Sequence, residues 1–247
     1  MKYQRYHFDT VTSTNDFAKE LLQKNELVIV SANFQTKGRG RNNNVWTGNY
    51  GQNIYISFGI KHNQMKRIEE VAHFQGLGAI VVLSTLRQIS NSNIFKLKYP
   101  NDVYAKISEG NYKKIAGILV EHQFLGELCT STVLGIGINV NQTEFNNEIA
   151  NIATSLKLLG FNPQIVNIID ALIYYFEFYL KLFPNEIFEL WKKELDIIGK
   201  EVNIFTKEIK GKIETIDDIG RIVVITIPEG NIVFIGDGDS IRYDLES

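Results

Sequence analysis

Residues 94–141 read IFKLKYPNDVYAKISEGNYKKIAGILVEHQFLGELCTSTVLGIGINVN. Three β-rich runs, Ile94–Ala105, Lys114–Phe124 and Leu128–Asn141, are separated by turn residues at Ser108–Asn111 and at Gly126, the pattern of an antiparallel meander. Strand side chains alternate between faces, so Ile136, Ile138 and Val140 point into a core while Gly135, Gly137 and Asn139 point the other way. Two absent side chains followed by an amide make a shallow slot that ends in a hydrogen-bonding group. A bulge or close strand packing accounts for the same glycines equally well.

Upstream of the meander, Tyr6–Val11 reads as a short strand and Ser13 or Thr14 as a helix N-cap. Phe17, Ala18, Leu21 and Leu22 then carry a helix to about Lys24. Leu27–Phe34 is β-rich, Gln35–Gly51 is a polar loop rich in Gly and Asn, and Asn53–Ile60 is a strand. A single apolar stripe through Val71, Phe74, Leu77, Gly78, Val81, Val82 and Leu86 predicts a helix over Ile68–Ile89. Downstream, Ile165–Phe183, broken by Pro184, and Ile187–Leu195 are helices with aromatic stripes. After Gly199 come five short runs: Val202–Phe205, Lys212–Ile216, Ile222–Ile227, Ile232–Ile235 and Ser240–Tyr243. Short strands at that spacing, parted by Asp218, Gly220, Pro228 and Gly230, suggest a small barrel. The texture changes near 196–199, which divides the chain into a larger domain over 1–197 and a smaller one over 198–247. The expected fold is α+β, a mixed and largely antiparallel sheet with flanking helices plus an appended C-terminal β-barrel.

Composition removes several function classes. The 247 residues are 44% hydrophobic and 22% charged, enough apolar material for an ordinary core. Net charge is −2, without the clustered basic excess that sequence-independent nucleic-acid binding needs. Cys129 is the single cysteine, so no internal disulfide or CxxC pair forms, and the four histidines show no HExxH spacing. The N-terminal residues lack the apolar core of a signal peptide, and Ile80–Leu86 and Ala171–Phe183 fall short of the roughly 20 residues that span a bilayer. A cytoplasmic location without membrane contact is the expectation.

Five segments carry chemistry. In Gln35–Trp46, Gly38 and Gly40 let a ligand approach the main chain, Lys37, Arg39 and Arg41 supply three cations, and Trp46 offers a surface for a purine. A solvated loop with an anchored Trp is the plain alternative. In Lys98–Asp102, Pro100 marks a strand end and puts Asn101 and Asp102 at a rim, although such a triplet is also an ordinary turn. Lys113–Glu121 opens an apolar strand with two lysines, the usual form of a solvated strand end. Gly135–Asn141 carries the slot. Ser13, Thr14 and Asn15 stand where hydroxyls either cap a helix or bind a polar ligand.

Taken in order, STN, QTKGRGRNNNVW, KYPND, KKIAGILVE and GIGINVN resemble the biotin–protein ligase family along nearly the whole chain, and the five-stranded tail is similar to that family's small barrel. The resemblance implies a class II synthetase-like catalytic fold with an SH3-like C-terminal barrel. It implies an enzyme that activates biotin with ATP and Mg²⁺ and transfers it to a lysine of a biotin carboxyl carrier protein domain. Position by position, Ser13, Thr14, Asn15, Gln35, Gly38, Arg39, Arg41, Lys114, Gly117 and Gly137 would bind biotin. Arg41, Trp46, Lys114 and Asn139 would bind nucleotide, Lys114 and Arg41 would be catalytic, and Asp102 would help place Mg²⁺. Cations are needed because one anion, a carboxylate, must approach another, the α-phosphate.

The chain departs from the family at Asn42, Asn43 and Asn44, where further basic residues are common, and at Tyr99, where a Trp is common. Arg242 lies in a tail that matches too loosely to receive a role. Because the matching pattern begins within the first fifteen residues, no N-terminal DNA-binding domain and no DNA binding are expected. Monomer and homodimer stay open. The rival expectations are a lipoate-type protein ligase or octanoyltransferase, and a non-catalytic biotin-binding module.

Overall fold

The computed structural model describes residues 2–205 and 209–245, and it places the meander in one half of a seven-stranded sheet. Its strands are β1 (Gln4–Val11), β2 (Leu27–Gln35), β3 (Asn53–Lys66), β4 (Phe95–Lys98), β5 (Asp102–Ser108), β6 (Asn111–Leu125) and β7 (Leu128–Asn139). They lie in the order β1-β2-β3-β7-β6-β5-β4, with β1 parallel to β2 and every other pair antiparallel. The run expected over Ile94–Ala105 is two strands. Pro100 has no N–H to give a ladder, and the chain turns at residues 99–101 so that Lys98 pairs with Asp102.

Two apolar layers sandwich the sheet. On one face Ala18 and Leu22, from α1 (Thr14–Leu21) and its C-terminal cap, pack on Val28, Val30 and Val133. The other face carries α3 (His73–Ser90), α4 (Ile165–Tyr179) and α5 (Pro184–Leu195), with the one-turn α2 (Ile68–Val71) leading into α3. The helix expected over Ile68–Ile89 is thus interrupted at Ala72, between α2 and α3. Along β7 the alternation holds: Leu134, Ile136 and Ile138 join the core under α3, and Val133 joins the cluster under α1.

The five C-terminal runs form β8 (Glu201–Ile204), β9 (Ile209–Ile216), β10 (Ile222–Ile227), β11 (Ile232–Ile235) and β12 (Ile241–Arg242). They make one antiparallel sheet in the order β11-β10-β9-β8-β12. Val202, Ile204, Ile213, Ile216, Ile222 and Val224 join the apolar core of the main sheet, reached through Trp191 and Ile197. Tyr99 pins the two sheets together, donating from its hydroxyl to the carbonyls of Gly220 (2.8 Å) and Ile235 (3.0 Å).

Three of the four histidines gather where β7 begins. His62 Nε2 and His122 Nδ1 each lie 2.9 Å from Thr132 Oγ1, and His73 stacks on Phe74 with ring centroids 4.4 Å apart. Burial pushes His73 and His122 down to about 4, so both are neutral in the folded chain. In the unfolded chain they take a proton near pH 6.5, so the stability each contributes is complete above that pH and is lost as pH falls from 6.5 through 4. The loss amounts to roughly 3 kcal/mol per group. His122→Gln should therefore shrink the drop in urea midpoint between pH 7 and pH 4.5, and an unaltered drop would contradict this account.

Candidate active site

Reading across the sheet from β4 to β3, one row of paired residues runs Lys98, Asp102, Gly117, Gly137 and Tyr55. From Lys98 to Gly137 the row forms the floor of a cavity of about 580 Å³. Strict alternation from Gly117 would turn Lys114 to the opposite face, since the two are three residues apart. A bulge at Ile115 resets the count: Val103 pairs with Ala116 and Tyr104 with Lys114, and Ile115 and Ala116 are both buried in the core. Lys114 consequently rises beside Gly117. Its Nζ lies 2.7 Å from Asp102 Oδ1, off the line a hydrogen bond requires, so the pair is an electrostatic contact.

The slot expected over Gly135 and Gly137 is occupied: Asn15 stands above Gly135, and the indole of Trp46 covers Gly137 together with the neighbouring Gly117. A Cβ on Gly137 would stand 2.5 Å from Trp46 Cε2, and one on Gly117 would stand 2.9 Å from Cζ3. Lys114 Nζ sits 5.6 Å from the centre of that ring. The loop carrying Trp46 is a small hairpin: Arg39 pairs with Val45, Arg41–Asn43 form a short turn, and Trp46 N–H donates to Gly38 O at 3.0 Å. Gly38 does not line the cavity. A side chain there would strike the Trp46 carbonyl, so Gly38, expected to bind biotin, allows the hairpin to close.

At the far end of the row the first turn of α1 supplies a polar cradle. Ser13, Thr14 and Asn15 are buried and line the cavity, and Ser13 makes no side-chain capping bond although it occupies the cap position. Thr14 donates to Gln35 Oε1 from its N–H (2.7 Å) and its hydroxyl (3.1 Å). Ser57 Oγ on β3 lies 2.7 Å from Thr14 Oγ1 and 2.6 Å from Asn15 Oδ1. Asn15 fills the space above Gly135 and donates to Glu121 at 2.6 Å, and Lys19 donates to the same carboxylate at 2.8 Å. Burial opposes a charge on Glu121, but the bonds from Lys19 and Asn15 outweigh it and hold the carboxyl below its ordinary range. Arg39 borders the cavity with its guanidinium committed, bidentate to Asp16 at 2.7 Å twice and 3.4 Å from Glu121. That bond holds Asp16 below the usual carboxylate range. Arg39 therefore braces the cradle.

The opposite side of the cavity is built from three segments. Arg41 donates to the Gly236 carbonyl at 2.9 Å, which brings the loop between β11 and β12, with Asp237, Gly238 and Asp239, to the rim. Asn42 donates to Asp239 at 3.1 Å and lies 3.4 Å from Asp237. Asn139 is buried and spends its amide on the Thr154 carbonyl at 3.0 Å. Thr154 and Ile152 in turn bond the backbone of Lys114, and the segment before them sets Phe145, Ile149 and Ile152 into the cavity wall. Sequence reasoning missed this wall and Ser57. Lys98 Nζ, also in the lining, rests 4.7 Å from the centre of the Tyr104 ring, and burial lowers its pKa.

Arg41, Lys114, Asp102, Trp46, Asn139, Gln35 and the Ser13–Asn15 turn thus share one cavity, whereas Arg242 donates to the carbonyls of Asp239 and Ile241 and does not line it. The model of the biotin/lipoate A/B protein ligase family matches residues 7–139. The chain belongs to that family. Among family relatives, the bifunctional ligase/repressor BirA of Bacillus spizizenii is 35% identical over 159 residues, 60% of this chain and 44% of that protein. The biotin–protein ligase of Homo sapiens is 25% identical over 232 residues, 85% of this chain and 31% of its own length. The chain thus spans less than half the length of these two ligases. The structure of biotin protein ligase from Aquifex aeolicus in complex with biotin and ATP superposes with a TM-score of 0.71 at 25% identity, covering 98% of this chain and 99% of that one. The mixed sheet with flanking helices and a second antiparallel sheet is the fold of those ligases.

Proposed function

We propose that this protein activates biotin with ATP to give biotinyl-AMP and pyrophosphate, then transfers the biotinyl group to a lysine of a biotin carboxyl carrier domain. The observation that carries this reading is the meeting of Arg41 and Lys114 in one cavity with the uncharged cradle of Thr14, Asn15 and Gln35. A buried amide-and-hydroxyl set suits a neutral ureido ring, and the cavity beside the Trp46 indole suits an alkyl chain. The acid's carboxylate then falls next to Lys114. Phe145, Ile149 and Ile152 give the purine an apolar wall.

In the first step a carboxylate oxygen bonds to the α-phosphorus, the bond from that phosphorus to the bridging oxygen breaks, and pyrophosphate leaves with the electron pair. Lys114 and Arg41 offset the charge that gathers as the two anions meet. In the second step a lysine amine attacks the acyl carbon, AMP leaves and the nitrogen loses a proton. Asp102 is the carboxylate that would hold Mg²⁺ together with substrate phosphates and water, and the ion would supply charge neutralisation to those phosphates. Among the described residues no helix is long and apolar enough to cross a membrane. The test is incubation with ATP, Mg²⁺ and either labelled biotin or labelled lipoate. Biotin-dependent pyrophosphate release with a biotinyl-adenylate is expected; release with lipoate alone supports the lipoate-type alternative, and biotin binding without release supports a non-catalytic module.

A further inference from the structure

We propose that Lys98 is the cation that receives the departing pyrophosphate, an inference that rests on the ATP-dependent activation proposed above. Position comes first. Along the floor row the acyl slot lies at Gly137 and Gly117, Lys114 and Asp102 stand next, and Lys98 ends the row on β4. Neighbouring strands are about 4.8 Å apart, so Lys98 lies about two strand spacings from the slot, the reach of a polyphosphate. In an in-line displacement the leaving group departs opposite the nucleophile. A carboxylate entering from the Gly137 side expels pyrophosphate toward β4.

Availability comes second. Lys114 is paired with Asp102 and Arg39 with Asp16, but Lys98 forms no ion pair among the described residues. Its neighbours are the face of Tyr104 and that residue's hydroxyl, 3.3 Å away. Arg242 of the C-terminal sheet is spent on two backbone carbonyls. Asn42 adds no charge and instead bridges to Asp239. Lys98 is thus a half-buried cation on the cavity wall with no carboxylate in ion-pair contact among the described residues, its cross-strand neighbour Asp102 being paired with Lys114, and a pyrophosphate group is the partner the reaction would bring to it. As the bond at the α-phosphorus breaks, negative charge grows on the bridging oxygen and its two phosphates. An ammonium already in place stabilises that growth without any proton moving.

The experiment compares the full-length chain with Lys98→Gln and Lys98→Arg in two half-reactions. One is biotin-dependent exchange of radiolabelled pyrophosphate into ATP; the other is transfer from supplied biotinyl-AMP to a biotin carboxyl carrier domain. For Lys98→Gln the KM for pyrophosphate should rise about tenfold, with biotin affinity and the transfer step unchanged, and Lys98→Arg should restore most of the loss. An unaltered KM for pyrophosphate, or equal losses in both half-reactions, overturns the assignment while leaving the activation reading intact. No exchange in the unaltered protein removes the activation reading, and this inference with it.

Discussion

Replacing Lys114 with alanine is expected to slow biotin-dependent pyrophosphate release by about 10²- to 10³-fold, the usual cost of losing a preorganised charge aimed at the reacting group. The position of the side chain gives the reason. Lys114 Nζ lies 2.7 Å from Asp102 and beside the Trp46 ring, so it meets both the carboxylate that would hold metal and the place where the acid arrives. Its removal takes away a cation and also exposes the phosphates to the unbalanced charge of Asp102. The backbone around it is insulated from the change, because the bonds of Lys114 to Ile152 and Thr154 use main-chain atoms. The variant should therefore fold and keep most of its biotin affinity, and the loss should appear in the rate. Stopped-flow or coupled measurement of pyrophosphate decides the matter, and near-normal release from Lys114→Ala ends its catalytic assignment.

The route to that lysine shows what a linear sequence conceals. Alternation along GIGINVN identified the face of β7 that looks toward the site, and the structure keeps it: Ile136 and Ile138 are core, Gly137 and Asn139 are site. The same rule applied to KKIAGILVE would put Lys114 and Gly117 on opposite faces. The bulge at Ile115 reconciles them, and no residue type in that stretch announces it, because Ile and Ala sit in straight strands as readily as in bulged ones. Ser57 was invisible for a related reason. It is one small polar residue in the apolar run of β3, and its function appears only when α1 is laid across the sheet to meet it. The segment ending at Thr154 has no regular period, and it joins the site through backbone bonds to Lys114 that no side-chain pattern encodes. Arg39 was expected to bind biotin, but a charge in a motif does not reveal that Asp16 and Glu121 already occupy it. Motif spacing located the pocket, while pairing register decided which side chains are free within it.

The slot itself can be tested by filling it. Gly137→Val should weaken biotin binding by about 10²-fold while leaving the fold in place. Valine favours a strand, and the opposite face of β7 at Ile136 and Ile138 is untouched. On the site side, however, the new Cβ would stand 2.5 Å from Trp46 Cε2 and 2.6 Å from Nε1, distances at which one group must leave. Sliding the hairpin away is costly, because the Arg39–Val45 pairing and the Trp46–Gly38 bond hold its backbone. The indole rotates instead into the cavity, where the alkyl chain is proposed to lie, and overpacking costs about 1–3 kcal/mol of stability as well. Gly117→Ala provides a graded comparison: its Cβ would meet Cζ3 at 2.9 Å, a milder overlap at the ring edge, so a weakening of only about tenfold is expected. Calorimetric titration with biotin, accompanied by far-UV circular dichroism to verify the fold, reads both. Equal affinity in Gly137→Val and the unaltered chain would mean that the acid does not lie beside the Trp46 indole, because the displaced ring cannot enter that part of the cavity and leave room for an alkyl chain.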